Sequence, residues 1–458
     1  MVDISGRRVA VAGMGVSGLA MGRAVLALGG LPVVFDQKPN DAPSVISAVD
    51  SLDAAGVPAV TGWHGRLDPA EFDILLLSPG FPKGHPAIRD MVNARRPVWS
   101  EIEFAYLASK VPILAVTGTN GKSTTTVLLW LLIQAAGHNA VLCGNIAGSG
   151  YPEMTLTEAA MKTSDGFLTA EVSSYHLEWV ETFAPRVAAI TNISPDHMDR
   201  YKFFDEYYNT KLRIFESMST SCGVVVNADE PSLPIERVEA CLTGRAPIIA
   251  FSPSGLKTGT GHAVRTGANL DLSGFKIAID ELAITGEHSV TNIMMAWEMA
   301  TQVVEAREEM IDALRSFSGL ANRMEVVGKK NGITVINNSM CTNPAAVVAS
   351  SKGLDKPQLL LMGGSTKNLD FSPVGEYLRS SHHKVYVFGQ EHVHMCQMLG
   401  VPPIGYSTLE EAFADAISEA KPGEAVMLSP GCASAYPYSN FKERGDAFKD
   451  MVAQWLQQ

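Results

Sequence analysis

The sequence predicts an α/β protein of three domains, each built on a mainly parallel, doubly wound sheet. Three observations lead there. Short apolar strands alternate with helical segments in three successive series, and glycine-rich turns follow the opening strands of the first two. The chain, at 458 residues, is also too long for one ordinary core.

The first series is Arg8–Ala12, Leu31–Phe35 and Ile74–Leu77. The second is Ile113–Val116, Ala140–Leu142, Phe167–Val172, Val187–Ile193 and Val224–Asn227. Thr334–Asn337, Gln358–Met362, Lys384–Phe388 and Ala425–Ser429 make the third. Boundaries are expected near Ser100, after the Pro97 turn, and close to Gly319-Leu320, giving domains 1–100, 101–319 and 320–458. A Gly- and Thr-rich stretch from Ser252 to Gly274 reads as loops or short antiparallel strands added to the middle region. No fixed-period repeat interrupts this pattern.

Bulk properties narrow the function. The net charge is -12, and no basic block is longer than Arg7-Arg8 or Arg95-Arg96, which argues against a nucleic-acid groove. Local phosphate binding by loop amides and single lysines stays compatible with that charge. Six scattered cysteines without a C-x-x-C pair read as reduced thiols of a cytoplasmic enzyme. Arg7-Arg8 followed by Val9–Leu28 superficially resembles a signal peptide, but Gly13, Gly15, Gly18, Gly22 and Arg23 break the apolar run. The apolar run Val127–Ala136 suits a buried helix and falls short of the roughly 20 residues of a membrane span.

Gly13-Met14-Gly15-Val16-Ser17-Gly18 follows a strand and opens a helix, and Asp36 ends the next strand. Such a turn brings backbone amides to a phosphate at a helix N-terminus. By itself it admits a dinucleotide such as NAD, another nucleotide, or a purely structural turn. Gly118-Thr119-Asn120-Gly121-Lys122-Ser123-Thr124 is more specific. It lies between a strand and a helix expected from about Thr125. Its amides would cradle phosphates, Lys122 would add charge, and Ser123 would offer a hydroxyl to Mg²⁺. Val116 stands where the common eight-residue loop has glycine, so this is the shorter G-x-x-G-K-S form.

Two more strand ends carry metal-ligand chemistry: Glu171 in Ala170-Glu171-Val172-Ser173-Ser174, and His197 in Ser194-Pro195-Asp196-His197-Met198-Asp199. Ligands in open α/β sheets gather beyond the carboxyl ends of strands, so both should face the phosphate loop. A carboxylate and an imidazole suit Mg²⁺ bridging a nucleotide and a second ligand. His382-His383 and His392/His394 lack a partner set at zinc spacing, and no zinc site is expected there.

These residues resemble the Mur ligases and their folylpolyglutamate synthase relatives. Thr117–Thr124, Ser194-Pro195-Asp196-His197-Met198-Asp199-Arg200-Tyr201, and Lys211-Leu212-Arg213-Ile214-Phe215 carry the resemblance. Ser78-Pro79-Gly80, Gly144-Asn145-Ile146 and Leu428-Ser429-Pro430-Gly431-Cys432-Ala433-Ser434 extend it over the whole length, which separates the chain from the folylpolyglutamate synthases. Within the Mur ligases the similarity is greatest to the branch that adds D-glutamate.

The resemblance implies a Rossmann-like first domain, a P-loop ATPase-like central domain and a Rossmann-like last domain. It reassigns the first glycine motif: Gly13, Gly15, Val16, Ser17 and Gly18 would hold a UDP diphosphate, with Asp36 near the uridine and Ser78, Gly80 and Asn145 on the same ligand. It implies ATP at Gly118–Thr124, with Asn292, Arg323 and Asn338 also touching the nucleotide. Two Mg²⁺ sites would use Ser123, Glu171, His197 and Lys211, the last carbamylated. Lys122, His197 and Lys211 are the implied catalytic residues, and Thr342, Lys367, Ser434 and Phe441 the implied amino-acid pocket. The implied activity is ATP-dependent addition of D-glutamate to UDP-N-acetylmuramoyl-L-alanine through an acyl phosphate, in peptidoglycan precursor synthesis. No nucleic acid and no membrane span enter this reading, and the expected state is a monomer.

The chain departs from that pattern near the amino-acid side. Asn338-Ser339-Met340-Cys341-Thr342-Asn343 stands where the family usually has Asp-Ser-Lys-Ala-Thr-Asn. Ser289, Ala147 and Ala435-Tyr436-Pro437-Tyr438 also differ from the usual residues. Three readings therefore stay open: D-glutamate ligation, ligation of another amino acid (such as L-glutamate) or acceptor, and a catalytically reduced binding homologue.

Overall fold

The computed structural model describes the 458 residues except Met1, Asp199, 256–258, Thr285, Asp355, 367–368, His382, 403–404 and 435–436. The chain divides into two compact units, one of residues 1–147 and 151–317, the other of 148–150 and 318–458.

The first unit holds two parallel sheets. Strands β1 (Arg8–Ala12), β2 (Leu31–Phe35), β3 (Ala59–Val60), β4 (Ile74–Leu77) and β5 (Val98–Ser100) are ordered β3-β2-β1-β4-β5. The second comprises β6 (Ile113–Thr117), β7 (Ala140–Gly144), β8 (Phe167–Glu171), β9 (Val187–Ile190), β10 (Gly223–Asn227) and β11 (Ile248–Phe251), ordered β11-β10-β9-β6-β8-β7. In both sheets the inner strands are near-continuous apolar runs, as burial on two faces requires: β4 and β6 are buried at every position. In each sheet the opening strand sits between two later ones. Its carboxyl end is therefore a switch point, where crossovers diverge to opposite faces and leave a crevice.

Several expected bounds shift for local reasons. The helix after the phosphate loop, Lys122–Ala135, begins at Lys122 and not near Thr125, because Gly121 takes a left-handed conformation (φ 82°) and turns the chain directly into it. Strand β9 ends at Ile190, not Ile193: Thr191 N–H still donates to Thr117 O of β6, but Asn192 turns its backbone and side-chain oxygens to the phosphate loop. The added segment of the middle region is an antiparallel meander, β12 (Ala263–Thr266), β13 (Asn269–Leu272) and β14 (Phe275–Ala278), whose last strand lies beyond Gly274.

Glu103 is a fixed point of this unit. It is fully buried, and its carboxylate accepts from the backbone N–H groups of Glu181, Thr182 and Phe183 at 3.0, 2.8 and 3.0 Å and from Thr182 Oγ1 at 2.6 Å. Glu103→Gln turns an amide donor toward these donors and orphans at least one of them. A loss of about 3 kcal/mol is expected, read as a lower unfolding midpoint by scanning calorimetry; an unchanged midpoint would refute it.

The second unit carries one mixed sheet: β15 (Glu325–Lys330), β16 (Ile333–Asn337), β17 (Gln358–Gly363), β18 (Lys384–Phe388), β19 (Gly405–Tyr406) and β20 (Ala425–Leu428), ordered β15-β16-β20-β17-β18-β19. Only β15 runs antiparallel. Apolar clusters cover both faces, one around Val347, Phe371 and Met395 and one around Phe413, Phe448 and Val452. Among the described residues no helix is long and apolar enough to cross a membrane. All six cysteines are free thiols.

Candidate active site

Three neighbouring strand ends of the first sheet form a cleft of about 460 Å³. Gly13–Ser17 follow β1, Asp36–Lys38 follow β2, and Ser78–Pro82 follow β4. Asp36 Oδ2 accepts from the Met14 N–H at 2.7 Å and so fixes the glycine turn. Gly18 packs against that turn without room for a side chain: a Cβ there would lie 1.8 Å from Gly13 O. Val16 is 74% exposed at the mouth of the cleft. Asn145, expected on the same ligand, follows β7 of the second sheet. Its Nδ2 donates to Glu171 Oε1 at 3.1 Å, at the end of β8.

The second sheet gathers its chemistry at the ends of β9, β6 and β8, again three neighbours. The phosphate loop is stitched to the chain after β9. Asn192 O accepts from Thr119 N–H at 2.9 Å, Asn192 Oδ1 accepts from Asn120 N–H at 3.0 Å, and Thr191 Oγ1 donates to Asn120 O at 2.5 Å. A Cβ at Gly118 would meet Thr191 Oγ1 at 1.9 Å, so only glycine allows this approach. Lys122 Nζ donates to Thr119 O at 2.9 Å, and Ser123 Oγ donates to Glu171 Oε2 at 2.5 Å. Register explains the last contact, since Val116 pairs with Glu171 across β6 and β8. Asn292 lies against the same helix N-terminus, its Oδ1 accepting from Thr125 Oγ1 at 3.3 Å.

His197 is held in a left-handed backbone (φ 56°), which costs a non-glycine residue roughly 1–2 kcal/mol. Its Nδ1 is 3.0 Å from Tyr175 OH. Arg200 stacks on that tyrosine at 4.2 Å, donates to both Glu178 oxygens at 2.8 and 2.6 Å, and reaches Phe81 O at 3.1 Å. The second-sheet loop is thus tied to the rim of the first cleft.

Lys211 enters from the helix Phe204–Glu216 and is 2% exposed. Its Nζ donates to Gly118 O at 2.8 Å, lies 3.4 Å from Thr117 Oγ1, and sits 4.9 Å over the Tyr207 ring. Burial, aided by the nearby Lys122 charge, holds its amine well below the ordinary lysine range against the opposing pull of Asp196 and Glu171. The phosphate loop, the end of β8, the 196–197 turn and this helix therefore share one electrostatic site.

Among the described residues no three His, Cys, Asp or Glu side chains form a ready metal cage. The donor set nevertheless fits Mg²⁺, which takes few protein ligands and completes its shell with phosphate oxygens and water. Glu171 and the Ser123 hydroxyl offer hard oxygens at one point, with His197 and Lys211 nearby.

In the second unit the ends of β16, β20 and β17 converge. Arg444 fastens them. It is 1% exposed and donates to Ser339 O at 2.8 Å, Ser339 Oγ at 3.1 Å, Gly363 O at 3.3 Å and Cys432 O at 3.5 Å. Burial without a carboxylate partner in these contacts lowers its guanidinium to about 10. Asn338 is enclosed: its Oδ1 accepts from Met324 N–H at 3.2 Å and its Nδ2 donates to Ser429 Oγ at 3.3 Å. Arg323 reaches Met340 Sδ at 3.2 Å. Phe441 O accepts from Ser339 Oγ at 2.8 Å, and Ser434 Oγ is buried with no partner among the described residues. Thr342 lies in the loop after β16, half-buried. Lys367 falls outside the described residues, as do Ala435 and Tyr436.

The histidines set aside as zinc ligands have other partners. His383 accepts from Gln358 N–H at 3.1 Å and meets Tyr377 OH at 2.9 Å, while His392 Nδ1 is 2.8 Å from Gly389 O. His382 is outside the described residues. Sequence reasoning passed over Tyr175, Thr191, Asn192, Tyr207 and Arg444. The position of Thr191-Asn192 directly after an apolar strand was the available signal; the tyrosines and Arg444 gave none.

The architecture agrees with known proteins. The chain is 32% identical to the UDP-N-acetylmuramoylalanine–D-glutamate ligase of Thermoanaerobacter pseudethanolicus over 465 aligned residues, covering 99% of both chains. The chain belongs to the Mur ligase family. The Mur ligase middle domain matches residues 116–300, and the Mur ligase glutamate ligase domain matches residues 322–432. The like-named ligase of Caldanaerobacter subterraneus subsp. tengcongensis is 34% identical, covering 98% of this chain and 99% of its own. The Mur ligase fold is shared with the MurF ligase of Thermotoga maritima solved with ADP (TM-score 0.58, 14% identity, 93% and 95% coverage). The same organism's UDP-N-acetylmuramate–alanine ligase MurC gives a TM-score of 0.56 at 15% identity, with 98% and 99% coverage.

Proposed function

We propose that this Mur ligase uses ATP to join D-glutamate to UDP-N-acetylmuramoyl-L-alanine in the cytoplasm, working through domains 1–100, 101–319 and 320–458. The observation that carries the reading is the meeting of Lys122, Ser123, Glu171 and Lys211 at three adjacent strand ends, beside a second cleft shaped for a nucleotide diphosphate. The full-length relatives named for this ligation support the choice of substrates.

The UDP moiety would lie along Gly13–Gly18, near Asp36 and Ser78–Gly80, and NAD is set aside. ATP phosphates would lie on the amides of Gly118–Thr124, with Lys122 reaching the β/γ oxygens and Asn292, Arg323 and Asn338 as further nucleotide contacts. The alanyl carboxylate takes the γ-phosphoryl group, and the resulting acyl phosphate is attacked by the amino group, releasing phosphate. Lys122 holds the transferring group in line and offsets its charge, where most of the catalysis of such a transfer lies. Mg²⁺, when bound by Ser123, Glu171, His197 and a carbamate on Lys211, supplies charge neutralisation on the phosphate oxygens. Asn145, bonded to Glu171, would orient that carboxylate and meet the UDP-linked substrate where it reaches the second sheet. Thr342, Lys367, Ser434 and Phe441 would receive the incoming amino acid, and Ser434 Oγ, without a partner among the described residues, fits a group awaiting a polar ligand.

Asn338 and Met340 favour keeping a second reading, in which another amino acid such as L-glutamate, or another acceptor, is used. Phosphate release with ATP, Mg²⁺ and UDP-N-acetylmuramoyl-L-alanine is expected with D-glutamate and at least tenfold slower with L-glutamate or other amino acids, roughly the discrimination of one well-made polar contact. Turnover with a different amine and none with D-glutamate would reject the leading assignment. No turnover with any would leave a binding homologue.

A further inference from the structure

A largely enclosed chain of hydrogen bonds runs from the glycine turn of the first cleft to Ser173, close to the end of β8, and the reading above does not use it. Glu101 opens the helix Glu101–Ala108 and is 1% exposed; His176 is 2% exposed. Ser17 Oγ, in the glycine turn, donates to Glu101 Oε2. The same oxygen lies 3.4 Å from His176 Nε2, and Glu101 Oε1 accepts from the Thr157 N–H at 3.3 Å. On the far side of the ring, His176 Nδ1 accepts from the Ser173 backbone N–H at 3.3 Å and stands 2.9 Å from Ser173 Oγ. Ser173 lies two residues past Glu171.

The proton directions follow. A backbone N–H can only donate, so Nδ1 is an acceptor and the proton of the neutral ring sits on Nε2, facing Glu101. Burial opposes the charge on Glu101, but the His176 and Ser17 donors outweigh it and hold the carboxyl below its ordinary range. An ionised carboxylate has no proton to give, so the single hydroxyl proton of Ser17 is committed inward. A phosphate oxygen is likewise only an acceptor. Ser17 cannot serve both, and turning to a bound diphosphate leaves Glu101 Oε2 with His176 as its remaining side-chain donor. A buried carboxylate that loses a donor draws the other closer. The long 3.4 Å contact leaves room for that, and the ring is anchored to Ser173.

We infer that Glu101 and His176 are positioning residues that couple the UDP-binding turn to the nucleotide site, so that a ligand at Gly13–Gly18 alters affinity at the phosphate loop. This rests on the assignment of the two clefts proposed above.

The test is calorimetric titration of the full chain with a non-hydrolysable ATP analogue and Mg²⁺, with and without saturating UDP-N-acetylmuramoyl-L-alanine. In the wild type the second ligand should change the analogue's affinity by about fivefold or more, the lower range of measured couplings. In Glu101→Gln the ratio should fall below about twofold while each ligand alone binds within about threefold of wild type. General structural damage would instead weaken single-ligand binding. Should Glu101→Gln fail to fold, Ser17→Ala should lower the ratio and Ser17→Thr, which keeps the hydroxyl, should preserve it. A ratio equal in wild type and variants, or a wild type without coupling, overturns the relay alone. A wild type that does not bind the UDP compound overturns the functional reading as well.

Discussion

Lys211→Ala is expected to lower turnover by on the order of 10³-fold or more, and added formate or acetate should restore part of it. Lys211 is almost wholly buried and tied to Gly118 O, and burial together with the nearby Lys122 charge outweighs Asp196 and Glu171 and shifts it toward its uncharged form. An uncharged amine is nucleophilic. Its nitrogen can add to carbon dioxide, one C=O pair moving to oxygen and one proton leaving to solvent, to give a carbamate. That converts a group unable to bind Mg²⁺ into an oxygen-donor anion at the wall of the phosphate loop. Alanine leaves space in which a small carboxylate can stand in for the lost anion. Lys211→Met fills the space, so it should be equally inactive and resist rescue. An alanine variant with more than about a tenth of wild-type activity would rule out the role, since loss of one charged group in such sites costs far more. Equal rescue of the alanine and methionine variants would rule out the explanation.

Glu171→Gln should be nearly as damaging, with turnover down by about 10²–10³-fold and a higher Mg²⁺ requirement. Glutamine keeps the size but removes the charge. Both carboxylate oxygens already accept, from Ser123 Oγ at 2.5 Å and Asn145 Nδ2 at 3.1 Å, so the new amide would set a donor against one of these donors. Glu171 and Ser123 are both buried, so a fall in the unfolding midpoint should accompany the loss of activity. Activity measured against Mg²⁺ concentration separates the effects: saturation at the wild-type concentration would show that Glu171 does not meet the cation.

The fold was largely legible because buried parallel strands write themselves as short apolar runs, and β1, β2, β4, β10, β17 and β18 carry that signature. Short strands such as β3, β5 and β19 lack the length to show it. Sheet order was not legible, since which strands neighbour β6 depends on crossovers between distant segments. Local motifs gave the phosphate loop and Glu171, but not the start of the next helix, which the left-handed Gly121 sets. Glu101, His176 and Arg444 were invisible for a different reason. A charged residue in sequence reads as surface, and only the assembled packing shows one that is enclosed and satisfied.

The backbone at His197 has a consequence for how this protein can change. A glycine at that position would relieve the left-handed strain, though it would also give up the ring's contacts with Tyr175 and Tyr207. A histidine stands here at that cost, so the loop is a place where durability and the proposed chemistry are opposed. Drift or engineering that rewards heat resistance alone would erode this residue early, while leaving the sheets beneath it untouched.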